Sequence, residues 1–244
     1  MIRFIIVALS LLAASFAYAQ DVISVASKAQ SAFLVGNSAE LTRLVDSTAA
    51  WAKSQNSREL YTHAYIQFRV LQLAIVSKRE NDAKRAGDAC NNALDEALKR
   101  DRKSAEIHAL QSACYGYLAN LGVMGAIRNG SRSGKSIEAA LALDARNPRV
   151  VLIDGFGVYF RPKFVGGDKA KGCVRFKEAA VSFDAAGLTA VTSPSGLDWG
   201  AAEAHFWTGR CARDAGDAAG ARKSFERALA LAPDFFAAAK AVDR

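Results

Sequence analysis

Side chains able to do covalent or metal chemistry are few, with 3 His and 4 Cys in 244 residues. His63, His108 and His205 lie far apart, and none stands one helical turn from another His or from a Cys. No zinc-type ligand spacing exists. No Ser occupies a G-x-S-x-G elbow and no Cys has a His nearby in sequence, so nucleophilic catalysis has no candidate. The segment NGSRSGKS, Asn129 to Ser136, approaches the G-x-x-x-x-G-K-S spacing of a phosphate-binding loop. Asn129, however, stands where the first glycine is required, and CYGYLANLGVMGAIR ahead of it has none of the alternation of a strand. It reads as a polar loop between two helices. The chain is expected to be no enzyme and to carry no cofactor and no metal.

The cysteines depend on the compartment. Arg3 precedes an uncharged apolar run from Phe4 to Ala14, too short at about 1.5 Å per residue to cross a bilayer core of about 30 Å. Ala17-Tyr18-Ala19 follows, the small-x-small pattern of a signal peptidase site, so residues 1–19 read as a signal peptide cleaved before Gln20. The expected location is periplasmic or secreted, with no stable membrane insertion after cleavage. That compartment is oxidising and allows disulfides. In an antiparallel helix pair, residues equidistant from the connecting turn face one another. Cys90 and Cys114 are symmetric about the turn KRDRKS, and Cys173 and Cys211 about the loop from Gly187 to Asp198. Two bridges are predicted on that ground; the alternative is four small side chains filling alanine-sized packing sites.

The elements that would position these residues are helical. Hydrophobic residues make up 51% and charged ones 23%, with only 4 Pro and no long Val/Ile/Thr alternation. Such a composition excludes a disordered chain and argues against β-sandwiches and parallel-sheet enzymes. The net charge of +8 is spread over every helix and interleaved with acids, as in Lys84, Arg85 and Asp88, so nucleic acid is not an expected partner. Asn147-Pro148 reads as an N-cap with proline at the first helical position, and Gly216-Asp217 as a turn in which Gly ends one helix and Asp caps the next. Asn37 with Glu40 forms a capping box. About ten helices follow one another, and no linker divides them.

From Ala202 to Phe235 the sequence resembles a tetratricopeptide repeat (TPR), a helical hairpin of about 34 residues. Gly209, Ala221 and Ala228 stand where the repeat keeps small residues, with Phe225 beside them and Pro233 at the end. A second unit runs from Asn147, with Gly155, Gly172, Phe176 and Ala179 in register and the loop YFRPKFVGGD between its helices. Earlier pairs, Ala105 to Leu143 and Tyr61 to Ala97, are more degenerate. The chain is similar to exported bacterial TPR proteins and, more distantly, to the periplasmic TPR component of TRAP-type transporters. The resemblance implies an all-α, TPR-like α-solenoid: a helical cap over residues 20–58 and a repeat array over 59–244.

It also implies a binding scaffold whose concave face is lined by the first helix of each pair. That face would carry Glu106, Ala109, Ala113 and Gly116, then Arg149, Leu152, Phe156 and Tyr159, then Glu203, Phe206, Arg210 and Arg213. A groove with Arg149, Phe156, Tyr159, Phe206, Arg210 and Arg213 would suit a protein or peptide partner with apolar and acidic groups. The alternative is an accessory solute-binding protein, its small-molecule pocket lying between the aromatic turn Tyr159 to Phe164 and the Trp199/Trp207 region. An open groove favours the first and a closed apolar cavity the second.

Overall fold

The computed structural model describes residues 21–186, 193–197 and 199–243. The signal-peptide reading lies outside them. Among the described residues there are eleven α-helices and no strand. They are α1 (21–35), α2 (Ser38–Ser47), α3 (Ser57–Val76), α4 (Glu80–Arg100), α5 (Ala105–Ala119), α6 (Gly122–Asp144), α7 (Pro148–Phe160), α8 (Lys169–Ala186), α9 (Ala201–Asp214), α10 (Ala218–Leu231) and α11 (Phe236–Val242). Four hairpins, α3/α4, α5/α6, α7/α8 and α9/α10, stack on one another, an all-α, TPR-like solenoid.

Local chemistry sets the boundaries. Asn147 accepts hydrogen bonds from the backbone N–H of Arg149 and Val150, with Pro148 in the first turn, and Asp217 accepts from Gly220. Within the last hairpin, a Cβ on Gly209 would stand 2.7 Å from the Phe225 ring, so only glycine lets α9 and α10 close on that side chain. Gly155 meets the Phe176 ring the same way at 3.0 Å.

The polar loop expected over Asn129 to Lys135 is not there. α6 runs unbroken through it from Gly122 to Asp144. The cause is tertiary. Ser112 Oγ donates to the Ser133 carbonyl, Ser133 Oγ donates to the Ser112 carbonyl, both at 2.9 Å, and Ser136 donates to Gln111 Oε1. This clasp holds α6 tightly on α5 and outweighs the roughly 0.5–1 kcal/mol that each interior glycine costs a helix.

The structure joins Cys90 to Cys114, linking α4 to α5, and Cys173 to Cys211, linking α8 to α9. Each bridge ties the second helix of one hairpin to the first helix of the next.

Candidate functional site

The concave side of the array is occupied by the chain itself. α3 and α9, the first helices of the first and last hairpins, meet directly through Arg69 Nη2 and Glu203 Oε1 at 2.6 Å, both buried. α1 lies between them. Gln30 of α1 accepts from Arg69 at 2.7 Å and from the Tyr65 hydroxyl, and donates to Glu203 at 3.2 Å, while Phe33 covers the Arg69 guanidinium at 4.2 Å. Leu34 joins Phe206, Phe225 and Phe235 in the last core cluster. Burial pushes the Tyr65 phenol well above its usual range, so it stays a neutral donor. Burial alone would lower the Arg69 pKa, but Tyr65 and Glu203 outweigh it and the guanidinium stays charged.

A second plug, a strap over the inner face, comes from residues 193–197 with Trp199 and Gly200. Trp199 is buried against Tyr65 and Phe68, its indole donating to the Tyr61 hydroxyl at 3.2 Å. Its carbonyl accepts from Arg149 Nη1 at 3.0 Å, and Arg58 donates to the carbonyls of Pro194 and Ser195. Within this strap Ser193 and Ser195 are buried and hydrogen-bonded to each other.

The expected groove therefore divides. Arg149 is fully buried, paired with Glu106 Oε2 at 2.8 Å, and unavailable to a partner. Phe206 is buried against Phe225 and Phe235. Arg213 stacks over the Phe225 ring of α10, away from Arg210, although the two are three residues apart. Each has its own cause: Glu106 of α5 and the Trp199 carbonyl hold the desolvated Arg149, Leu34 of α1 joins the rings that enclose Phe206, and the Phe225 ring of α10 takes Arg213.

The outer ends of α7 and α9 behave differently. Phe156, Tyr159, Phe160 and Trp207 form one aromatic cluster, with Trp207 5.5 Å from Phe156, 5.8 Å from Tyr159 and 5.3 Å from Phe160. At its mouth is a cleft of about 340 Å³ lined by Tyr159, Phe160, Arg161, Lys163, Gly167, Asp168, Lys169, Trp207 and Arg210. Arg210 stands over the Trp207 ring at 5.2 Å and Lys169 over Tyr159 at 5.6 Å. The Arg210 Nε is buried and makes no hydrogen bond. Four cations face one carboxylate. The loop that shapes the far wall is fixed by glycine: Gly166 has φ 89°, and a Cβ on Gly167 would collide with the Arg161 carbonyl. Of the six predicted contact residues, Phe156, Tyr159 and Arg210 are thus brought together, and the structure adds Trp207, Arg161, Lys163 and Lys169. Arg161 and Lys163 belong to the inserted loop, whose run of Arg, Lys and Phe beside Pro162 and two glycines is visible in the sequence, and Lys169 opens α8 directly after it.

Residues 202–235, α9, α10 and the turn after them, match the family model described as tetratricopeptide repeat. The chain carries a tetratricopeptide repeat. Its fold is also that of a solved structure, the HusA haemophore from Porphyromonas gingivalis, with a TM-score of 0.66 over 81% of this chain and 94% of that one at 18% sequence identity. No curated protein matches the sequence at a significant level.

Proposed function

We propose that the protein is an exported, non-enzymatic binding protein that holds a small anionic ligand with a flat apolar part in the cleft between α7 and α9. One observation carries this reading: Tyr159, Phe160 and Trp207 offer ring surfaces while Arg161, Lys163, Lys169 and Arg210 surround them with positive charge. Aromatic walls stack a planar group and guanidinium groups pair with carboxylates, and a few hundred cubic ångströms suits a small molecule. TPR hairpins commonly serve as scaffolds for protein partners, but the concave face that would take a peptide is filled here by α1 and the strap. The pocket of the alternative reading keeps its Tyr159-to-Trp207 part; Trp199 belongs to the core. The distant resemblance to the TRAP-associated component, and the name haemophore borne by a protein of the same fold, point the same way, to carriage of a small molecule. Export rests on the signal-like N-terminus and the two disulfides.

The test is titration with protoporphyrin IX, a planar dicarboxylate, against its neutral dimethyl ester, followed by tryptophan quenching with Trp207→Phe as the signal control. The free acid should bind more tightly, and Arg210→Ala should weaken it about tenfold or more. Equal binding of acid and ester, or an unchanged Arg210→Ala, would rule out the cleft as an anion site. Failure of both porphyrins alongside capture of an acidic, phenylalanine-containing peptide would return the site to a protein partner.

A further inference from the structure

In a stack of antiparallel hairpins, the turns inside each pair emerge along one edge and the turns between pairs along the other. Among the described residues, five large apolar side chains are at least 70% exposed: Val76 at 80%, Val123 at 76%, Met124 at 77%, Ile127 at 70% and Phe164 at 88%. All five lie at turns within pairs, on three successive hairpins. Val76 ends α3, Val123, Met124 and Ile127 open α6, and Phe164 tips the α7–α8 loop. Each turn also carries a cation, respectively Lys78, Arg128 and Lys163, and none of the three has a carboxylate within ion-pair distance among the described residues. The fourth turn, Asp214 to Asp217, is acidic and small, and bounds the patch.

Lys78 adds a separate observation. Four turns within pairs each contain one residue in the left-handed region: Lys78, Gly122, Gly166 and Gly216. Three are glycine. Lysine sits at φ 56°, where a Cβ is disfavoured. Local sterics prefer glycine there, so the placement supplies a charge at that tip against the backbone's preference.

We infer that this edge of the solenoid docks on an anionic membrane surface, the apolar tips entering the interfacial layer and Lys78, Arg128 and Lys163 meeting lipid phosphates. The fingers are exposed at the ends of three separate hairpins, which suits entry between lipids better than seating on a folded partner. Lysine and arginine beside each finger match the negative potential of anionic lipid. No helix among the described residues is long and apolar enough to cross a membrane, so the attachment is peripheral. Lys163 also lines the cleft, whereas Lys78, Met124, Arg128 and Phe164 do not. Docking can fail while ligand binding survives, and the reverse.

The experiment is co-flotation of the oxidised protein with phosphatidylcholine vesicles with and without phosphatidylglycerol, at low and high salt. The protein should float with the anionic vesicles and much less with neutral ones. Met124→Ser with Phe164→Ser should reduce the apparent affinity about tenfold or more. Lys78→Glu with Arg128→Glu should abolish the preference for anionic lipid, while circular dichroism and porphyrin binding remain as in the wild type. Absence of flotation by the folded wild type, or flotation indifferent to both double variants, overturns the inference. So does a concentration-dependent dimer that Met124→Ser with Phe164→Ser dissolves, because the edge would then join two copies of the chain.

Discussion

Removing the carboxylate of Glu203 should be among the most damaging single substitutions in this protein. Arg69 is buried, with Glu203 Oε1 at 2.6 Å, Gln30 Oε1 at 2.7 Å and Gln72 Oε1 at 2.7 Å, and rings of Phe33, Tyr65, Phe68 and Trp199 within 5.2 Å. Breaking one side of a buried ion pair costs about 3–5 kcal/mol, because the surviving charge stays desolvated. Glu203→Ala leaves the guanidinium two amide oxygens and four ring contacts, so the lower end applies, about 3 kcal/mol. For a domain of this size that corresponds to a fall in Tm of about 6–12 °C. Denaturant unfolding of the oxidised protein measures it, and amide exchange should show α1 opening first, since Gln30 is held by the same cluster. The companion variant, Arg69→Met with Glu203→Leu, removes both charges and should recover most of the loss. A Glu203→Ala cost below about 1 kcal/mol, or a double variant as poor as the sum of its parts, would refute the view that this pair closes the array.

The remaining expectations concern pH, cross-links, packing and the cleft. Burial lowers the pKa of His63, against the opposing Thr48 hydrogen bond, and of His205, against the opposing Asp184 carboxylate. The unfolded chain then takes up protons that the folded one refuses, so stability should be full above about pH 6.5 and fall as the pH drops below it; denaturation at pH 7.5 and pH 5 tests this, and His63→Gln should flatten the dependence. The bridges close loops of sequence separation 24 and 38, worth about 3–4 kcal/mol each by chain entropy. Alkylation before intact-mass measurement should find no free thiol, and Cys173→Ser with Cys211→Ser should lower the denaturation midpoint. Gly209→Ala drives a methyl into Phe225 and should cost about 1–3 kcal/mol, which thermal melts would show. In the cleft, Arg213→Ala should leave porphyrin binding unchanged where Arg210→Ala weakens it.

What could be read in advance was what neighbouring residues decide among themselves. Asn147-Pro148, Gly216-Asp217 and the Gly209–Phe225 approach are contacts within a hairpin, at spacings a helix pair fixes, and the cysteine symmetry uses the same geometry one hairpin further on. The fate of the inner face was decided by segments more than a hundred residues apart in sequence, as Arg69 and Glu203 are. No spacing rule reaches that far. A signal was nevertheless present. α3 is apolar nearly all round, from Leu60 to Leu73 with one arginine in it, and α7 reads PRVVLIDGFGVYF. A helix apolar on every side is covered on every side, so an open concave groove was already inconsistent with those two stretches, and their buried arginines required carboxylates from elsewhere in the chain. In α6 the error ran the other way, glycine and serine suggesting a loop where the Ser112–Ser133 clasp holds a helix.

The proposed function rests on that same covering. Filling the concave face with α1 and Trp199 removes the surface on which a repeat array usually takes an extended partner, and it also rigidifies the first helices against one another. In the proposed reading recognition moves to their outer ends, where the inserted loop between α7 and α8 stands apart from the plug and where the Cys173–Cys211 bridge fixes α8 to α9. Tyr159 stands on α7 and Trp207 and Arg210 on α9, so in this reading little ordering entropy opposes a small ligand. In the basic loop the cleft residue Lys163 is exposed and lightly packed. Substitutions there should therefore change which ligand is held without changing whether the chain folds.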